Sequence, residues 1–355
     1  MKHTTMRIGV YIQPIIQQQG GIHHYTKQLV MALERYGSYD YELIGSERVD
    51  AGLPTRFTPQ AALPIYHPSR RRNPVDLSGF DLLIDPSHFG SWGLFPAEKR
   101  IVCQHDLSGL HYPHYHRWQT VWAHRLLLRS WLKKSKGLFT VSRSIRDEIH
   151  KRYPSLHPAV VSPGLEFIEQ QTERPATDLP ERFFLFTGAA EPRKNLRRIL
   201  QALKPLPEGV HLVITGPQGW KFDLTETVAS HELSSRVHHL GYVPQRQLAY
   251  LLQHAVGLVY PSIYEGFGLP VLEAMHLGCP VVTSNRGACA ELIDSAGIKF
   301  DPSDSHAIQL AMMQLLEDGS LRTQCISEGK ARSKAFLWKH SIARLERYLD
   351  SLAAS

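Results

Sequence analysis

Short apolar runs alternate with helix-like segments along the first 163 residues. The run MRIGVYIQP, residues 6–14, predicts a buried strand, and apolar residues then recur at helical spacing from Ile22 to Tyr36. Four further runs, YELIGS, DLLIDPS, RIVCQHD and GLFTVS, predict strands, and residues 114–135 and 142–153 predict helices. Strands that alternate with helices in this way indicate a parallel, doubly wound sheet.

A polar, proline-bearing stretch separates this pattern from a second one. Residues 164–181 have no strong period and predict a linker, after which RFFLFTG restarts the alternation. We therefore predict an α/β fold of two Rossmann-like, doubly wound domains, residues 1–163 and 182–335, which face each other across a cleft. The last helix, residues 336–355, is predicted to return to the N-terminal domain.

The segment Tyr260–Met275, YPSIYEGFGLPVLEAM, carries the most chemical information. A strand pattern precedes it, and a helix pattern fills its second half. Gly266 and Gly268 let the backbone approach a ligand closely, and a helix that begins there offers free N–H groups to a phosphate. Glu265 and Glu273 are suited to accept hydrogen bonds from sugar hydroxyls on either side of that phosphate.

This segment resembles the E-x7-E signature of the retaining glycosyltransferases of family 4, which have the GT-B fold. The resemblance implies that Glu265 binds hydroxyls of the transferred sugar and that Glu273 binds the ribose of the nucleotide. It also implies that the loop and helix start between them bind the donor, through Gly266, Phe267, Gly268 and Leu269.

A second motif, TGAAEPRKNLRRIL at residues 187–200, continues the resemblance. Arg193 and Lys194 follow a predicted strand, and Asn195 stands at a predicted helix N-cap. Arginine can fork across two phosphate oxygens, and lysine adds a mobile point charge. The family pattern implies that both side chains hold the donor diphosphate.

Weaker signals complete the predicted site. The segment LGYVPQRQL, residues 240–248, resembles the family segment that borders the nucleobase, which places Tyr242 and Val243 there. Gly20 and Gly21 open a predicted helix, and the equivalent family loop lies over the donor phosphates and the acceptor.

His105 follows the predicted strand RIVC and matches a family histidine that lies near the transferred sugar. Asp106 either orients this ring or caps a turn. The predicted catalytic set is His105, Arg193, Lys194 and Glu265.

Metal-binding signals are missing from the chain. There is no D-x-D, no HExxH and no Cys/His pairing at zinc-ligand spacing. The cation role falls on Arg193, Lys194 and a helix N-terminus, so we expect metal-independent transfer with no cofactor beside the nucleotide diphosphate sugar. The lack of a full GxGxxG disfavours a nicotinamide cofactor.

Composition narrows the class of protein and its compartment. Hydrophobic residues at 43% and charged residues at 21% are ordinary for a soluble globular protein. The four cysteines form no CxxC pair, and three of them sit in apolar or small-residue surroundings, which predicts buried free thiols. Neither a signal peptide nor an 18-residue apolar run is present. We therefore expect a cytoplasmic protein. The net charge of +7 suits nucleic acid, anionic lipid or phosphorylated substrates without choosing among them.

A basic segment rich in tryptophan occupies residues 116–137, HRWQTVWAHRLLLRSWLKKSKG. Such a helix can lie in an anionic membrane interface. Together with the basic run 70–72 (Arg70, Arg71, Arg72), it would suit a lipid-linked acceptor at the inner face of the cytoplasmic membrane. The alternative is a core helix whose basic residues face water.

The resemblance implies retaining transfer of a hexose from a nucleotide diphosphate sugar to a glycan or lipid-linked acceptor. The general pattern looks like bacterial mannosyltransferases of surface polysaccharide assembly, which favours GDP-mannose, while UDP-glucose, UDP-N-acetylglucosamine and UDP-galactose stay open. A nucleotide-sugar epimerase of the same architecture is one alternative. A non-enzymatic nucleic-acid-binding protein is another, but the phosphate-binding motifs disfavour it, and we expect no nucleic-acid partner.

Overall fold

Two α/β units make up the chain in a computed structural model, which describes residues 6–17, 20–45, 61–62, 77–219 and 222–354. The first unit holds the described residues up to Leu110, Trp118–Gly164 and those from Leu337 onward. The second unit holds His111–Arg117 and Leu165–Phe336, so that most of the stretch predicted as a linker lies within it.

Parallel strands form the sheet of the first unit, in the order β3-β2-β1-β4-β5-β6-β7. The strands are β1 (Arg7–Tyr11), β2 (Asp40–Gly45), β3 (Ala61–Ala62), β4 (Leu82–Asp85), β5 (Arg100–Gln104), β6 (Gly137–Thr140) and β7 (Ala159–Val160). The helices are α1 (Gln13–Gln17), α2 (Gly21–Tyr36), α3 (Ser108–His111, whose last residue groups with the second unit), α4 (Trp118–Leu126), α5 (Leu128–Lys134) and α6 (Arg143–Arg152).

The sheet of the second unit has the order β10-β9-β8-β11-β12-β13, again with parallel pairing. Its strands are β8 (Phe183–Thr187), β9 (His211–Thr215), β10 (Val237–Gly241), β11 (Gly257–Tyr260), β12 (Val281–Ser284) and β13 (Ile298–Phe300). Its helices are α7 (Leu196–Leu203), α8 (Leu224–Ser230), α9 (Gln245–His254), α10 (Leu269–Leu277), α11 (Gly287–Ile293), α12 (Ser305–Glu317) and α13 (Gly319–Ser333). The last helix of the chain, α14 (Trp338–Ala353), belongs to the first unit.

Both sheets confirm the predicted doubly wound α/β class. In each sheet the strand order reverses beside the first strand of the unit: β1 lies between β2 and β4, and β8 lies between β9 and β11. Connections leave these neighbouring strands in opposite directions, which opens a crevice at their carboxyl ends. Ligands of open α/β sheets bind at this switch point.

Local sequence explains where several elements begin and end. All five residues of β8 are buried, as expected for a parallel strand that is covered on both faces. The run 6–14 was predicted as one strand, but the strand ends at Tyr11. The reason is that Pro14 has no N–H to donate to a strand and suits the first turn of α1. The predicted helix over 114–135 consists of a 3₁₀ turn, Pro113–Tyr115, followed by α4 and α5.

Helix α14 packs against the first unit through a buried tryptophan. The Trp338 ring is fully buried beside Tyr25, with 5.5 Å between ring centroids, and its Nε1 donates to Oε1 of Gln28 at 3.2 Å. Along the edge of the sheet, Arg344 Nη1 donates to the carbonyl oxygen of Val160 at 3.0 Å. This helix therefore completes the core that α2 and β7 begin.

All four cysteines are buried free thiols, although burial was predicted for only three of them. Among the described residues, no helix is long and apolar enough to cross a membrane.

We expect Trp338→Ala to destabilise the first unit by about 3–5 kcal/mol, because it leaves a large cavity in a closed core. Chemical denaturation followed by circular dichroism measures the change. Trp118→Ala is the matched control, since the Trp118 side chain is largely exposed, and it should change stability by less than about 0.5 kcal/mol. Equal losses in the two variants would contradict the packing described for α14.

Candidate active site

The loops after β8 and β11 lie side by side in the second unit. The two strands pair in parallel, with Phe184 opposite Gly257 and Leu185 opposite Leu258, so their carboxyl ends meet at one edge of the sheet. The first loop carries Arg193 and the second carries Glu265. The strand order therefore joins two motifs that lie far apart in the sequence.

Asn195 fastens the first loop to the second. Its Nδ2 donates to the carbonyl oxygen of Pro261 at 3.1 Å and to that of Pro302 at 2.6 Å. The residue stands at the N-cap position of α7, as predicted, but its side chain does not cap the helix. Its backbone is left-handed, with φ 63°, and its amide serves the two carbonyl oxygens instead.

One carboxylate oxygen gathers the charged side chains of both loops. Oε1 of Glu265 lies 2.6 Å from Nζ of Lys194 and 2.9 Å from Nη1 of Arg193. It also accepts hydrogen bonds from the hydroxyls of Ser262, at 2.6 Å, and Tyr260, at 3.1 Å. Arg193 is anchored further, because Nη1 donates to the carbonyl oxygen of Tyr264 at 2.9 Å. These contacts hold both cations in fixed positions at the switch point.

Burial and charge decide the protonation of this cluster. The side chains of Lys194 and Glu265 are each 11% exposed, and that of Arg193 is 18% exposed. Burial alone would raise the pKa of Glu265, but the positive charges of Arg193 and Lys194 outweigh it and lower the pKa to about 2. Burial also lowers the pKa of Lys194, while Glu265 opposes that shift. Arg193 and Lys194 share the carboxylate of Glu265, and Oε2 of the partly exposed Glu191 lies 3.5 Å from Nη2 of Arg193, so two carboxylates face the two cations.

Helix α10 begins directly after this cluster. Gly268 is its N-cap and has φ 96°, a backbone conformation that side chains with a Cβ rarely adopt. Within the described part of the chain, the N–H groups of Gly268 and Leu269 meet no acceptor. The buried ring of Phe267 packs edge-on to Phe336 at 5.7 Å. The helix start therefore has free donors on a rigid support.

Glu273 differs from Glu265 in its surroundings. It lies half-buried on α10, and no side chain among the described residues pairs with it. Burial raises the pKa of this carboxyl to about 7. A half-buried carboxyl without a partner is ready to accept a hydrogen bond from a ligand hydroxyl.

The two residues predicted to border the nucleobase follow β10 in the same unit. Gly241, at the end of β10, turns the chain with φ 65°, after which Tyr242 is exposed and Val243 is half-buried. The amide of Gly216 donates to the carbonyl oxygen of Gly241 at 2.7 Å, which fixes this turn against β9. The structure thus places these residues at the carboxyl edge of the sheet that carries Lys194.

The remaining predicted residues belong to the first unit. Gly20 and Gly21 are exposed at the start of α2, and Gly20 has φ 109°. His105 is buried after β5, and its Nε2 donates to the carbonyl oxygen of Pro86 at 2.7 Å. Asp106 accepts from the amide and hydroxyl of Ser108, so its carboxylate caps the turn into α3. Of the two roles considered for Asp106, the described contacts correspond to the cap.

Sequence reasoning missed a histidine beside His105. Nε2 of Gln104 lies 2.6 Å from the carbonyl oxygen of Asp106, to which it must donate, and 2.7 Å from Nδ1 of His88. Nδ1 of His88 is therefore an acceptor, and the ring proton is on its Nε2. Burial lowers the pKa of His88 to about 4, so the ring is neutral. The signal that could have found it is its position just after β4, at the switch point of the first sheet.

Tyr260 and Ser262 were also missed as members of the cluster around Glu265. Both lie within the motif segment, but only the structure shows that their hydroxyls reach the carboxylate. Gly188 is a third addition: it has φ 130°, and a Cβ there would lie 3.7 Å from Cε of Lys194. The predicted residues thus form two groups, one in each unit. Over the described ranges, no cluster of three or more histidine, cysteine, aspartate or glutamate side chains could hold a metal ion.

Comparison with known proteins gives a family match in the second unit. The model described as glycosyl transferases group 1 matches residues 167–332. The O-antigen chain mannosyltransferase B of Escherichia coli is 36% identical over 258 residues, which are 68% of this chain and 68% of that protein. The O-antigen chain mannosyltransferase RfbU of Salmonella typhimurium is 30% identical over 223 residues, 61% of each chain.

Solved structures show the same fold over almost the whole chain. Sucrose-phosphate synthase from Thermosynechococcus elongatus has a TM-score of 0.75 at 19% identity and covers 99% of this chain and 100% of its own. Anabaena HepE, in complex with UDP and glucose, has a TM-score of 0.70 at 16% identity and covers 98% and 100%. At these identities the likeness is one of fold, and it confirms the predicted GT-B class.

The raised pKa of Glu273 predicts that Glu273→Gln becomes more stable than the wild type as pH rises, because the wild type loses stability. Below about pH 4.5 the carboxyl is protonated in the folded and unfolded states alike, and above pH 7 it is ionised in both. Between these values unfolding releases a proton, so the wild type loses stability with rising pH and the neutral variant does not. We expect the variant to be more stable by about 1–3 kcal/mol near pH 8 and equal near pH 4.5.

Denaturant unfolding at both pH values measures this difference. Glu317→Gln, on the exposed face of α12, is the matched control and should show no such dependence. A stability difference for Glu273→Gln that stays constant with pH would contradict a buried, unpaired carboxyl.

Proposed function

The chain belongs to the glycosyl transferases group 1 family, and from this membership we propose that it transfers mannose from GDP-mannose to a glycan or lipid-linked acceptor. That it is a glycosyltransferase follows from the family itself. The donor, retention of the anomeric configuration and independence of metal are parts of the proposal.

The observation that carries the proposal is the buried cluster of Arg193, Lys194 and Glu265 beside the start of α10. Its two fixed cations and the free amides of Gly268 and Leu269 suit a diphosphate. Negative charge grows on the leaving diphosphate as the bond to the sugar breaks. Donors that are already in place stabilise that charge without reorganisation. The same donors supply the charge that a divalent cation would otherwise provide, and this supports transfer without metal.

The two glutamates divide the sugar contacts of the donor. Glu273 accepts from a ribose hydroxyl, since its half-buried carboxyl has no partner among the described residues. Glu265 contacts the transferred sugar while it holds Lys194. In the first unit, His105 with Gly20 and Gly21 serves the sugar and the acceptor.

Between the two routes to retention, the low basicity of Glu265 favours front-face attack over a covalent intermediate. A carboxylate with a pKa of about 2 that is engaged by several donors is a weak nucleophile, so a covalent intermediate on it is disfavoured. In the front-face alternative, the bond between the anomeric carbon and the diphosphate breaks and the acceptor oxygen attacks from the same side. The acceptor proton passes to the leaving diphosphate, and all atoms and charges balance.

Mannose is supported by the relatives rather than by a contact in the chain. Two of them, from E. coli and S. typhimurium, are described as O-antigen chain mannosyltransferases. An O-antigen is a surface polysaccharide, so the relatives support a growing, lipid-linked glycan as the acceptor. They also support a protein that acts at the inner face of the cytoplasmic membrane.

Lys194→Ala should lower kcat/KM by about 100- to 1,000-fold, because it removes a fixed donor from the leaving diphosphate. The assay measures GDP release from GDP-mannose in the presence of acceptor, with EDTA in every sample. Lys204→Ala is the matched control, since Lys204 forms an exposed ion pair with Glu232 in the same unit and should change kcat/KM by less than about twofold.

Near-normal turnover of a folded Lys194→Ala protein would contradict the assignment of the site. Complete loss of wild-type activity in EDTA, restored by a divalent cation, would contradict metal independence. Conversion of the donor to an isomeric sugar without acceptor would indicate an epimerase instead.

GDP should raise the melting temperature of the protein more than UDP or ADP does, because a ligand that binds only the folded state stabilises it by mass action. Glu273→Ala should lose most of this shift, whereas Glu317→Ala should keep it. A larger shift with UDP than with GDP would replace GDP-mannose by a UDP-hexose.

A further inference from the structure

The helices α4 and α5 expose an apolar surface in the first unit. Trp118, Trp122 and Leu126 are spaced four residues apart along α4 and are 69%, 58% and 61% exposed. Leu127, which joins the two helices, is 40% exposed. The alternative of a core helix is therefore wrong for α4, although Trp131 of α5 is buried.

A loop that carries Trp92 lies against α5. Trp92 is 44% exposed and stacks on Trp131, with 4.8 Å between ring centroids. The buried guanidinium of Arg100 lies 3.5 Å from the centroid of the Trp131 ring. A groove of about 540 Å³ opens here, lined in part by Trp92, Trp131 and Lys134. Aromatic groups are thus presented to solvent from a rigid base.

This surface holds most of the exposed large apolar side chains of the described residues. Five of the seven such side chains are Trp92, Trp118, Trp122, Leu126 and Leu127, while Tyr242 and Leu310 lie in the other unit. An apolar patch that stays uncovered in a folded protein marks a surface for a partner or a membrane.

The charge of α4 and α5 has one sign, while Glu98, six residues after Trp92, is exposed and acts on Arg100. Arg125, Arg129, Lys133 and Lys134 are exposed on the two helices. No aspartate or glutamate occurs anywhere between Asp106 and Asp147. Tryptophan beside arginine and lysine is typical of segments that lie in the headgroup region of a bilayer with anionic lipid.

We propose that this surface, formed by α4, α5 and the Trp92 loop, docks onto an anionic phospholipid bilayer. The inference deepens the lipid-linked acceptor of the proposed function, but vesicle binding itself does not depend on that function. Tryptophan and leucine enter the interface, and the basic side chains face lipid phosphates. Nucleic acid would use the basic residues but leave Leu126 and Leu127 in water, which favours the bilayer. The basic run 70–72, considered for the same contact, lies outside the described residues.

The test is cosedimentation of the full chain, without substrates, with vesicles of phosphatidylcholine alone or with phosphatidylglycerol added. The wild type should bind the anionic vesicles at low salt and release them as salt rises. Trp118→Ala/Trp122→Ala and Arg125→Gln/Arg129→Gln should each weaken binding by about tenfold or more. Leu310→Ala/Lys334→Gln, which removes an exposed leucine and an exposed lysine of the second unit, is the matched control and should bind like the wild type.

The proposal would be overturned if the wild type did not bind anionic vesicles at low salt. It would also be overturned if both surface variants bound these vesicles as strongly as the wild type. Self-association of the wild type that is lost in Trp118→Ala/Trp122→Ala, with unchanged vesicle binding, would assign the surface to contact between copies of the chain and overturn the proposal too.

Transfer to a water-soluble acceptor separates this proposal from the proposed function. The surface variants should keep that transfer, whereas Lys194→Ala should lose it and still bind vesicles. Vesicle binding without any transfer would reject only the function, and transfer without vesicle binding would reject only the surface.

Discussion

The site of the second unit depends on one carboxylate oxygen that two cations share. Arg193 and Lys194 are adjacent in the loop after β8, and both side chains are largely buried. Two buried positive charges this close together require an anion beside them. The neighbouring strand supplies it, because β11 pairs with β8 and its loop carries Glu265. Two side chains then fix the spacing of the loops. Asn195 of the first loop donates to the carbonyl oxygen of Pro261, and the Ser262 hydroxyl of the second loop lies 3.3 Å from the carbonyl oxygen of Arg193. The strand order makes this arrangement possible.

The two glutamates of the motif have opposite electrostatic states. Glu265 is surrounded by donors and ionised over the whole physiological range, so it acts as a fixed part of the protein. Glu273 lies in a less polar environment, where burial raises its pKa to about 7. The segment between them ends in a helix start with unused N–H groups. Glu265, which holds two cations, and Glu273, which has no partner among the described residues, thus lie only eight residues apart in the sequence.

Much of the fold could be predicted, because alternation of apolar strands with helices is a local property of the sequence. The start of the helix after Gly268 could also be predicted from glycine and proline positions. The pairing of Lys194 with Glu265 could not, because these residues are 71 positions apart and only strand order brings them together. The same holds for His88, whose proton position depends on an amide 16 residues later. The sequence also could not show that Trp118 is exposed and Trp131 buried, because both tryptophans lie in the same segment rich in arginine and lysine.

The return of α14 to the first unit has a consequence for how the chain folds during synthesis. Its Trp338 completes the core around Tyr25, yet the ribosome makes it only after the entire second unit. Domains usually fold in the order in which they are synthesised. Here the unit that begins first is finished last, so its edge at β7 stays uncovered while the second unit emerges. Chaperone binding to nascent chains should therefore concentrate on α2 and β7 until residues 338–353 are translated.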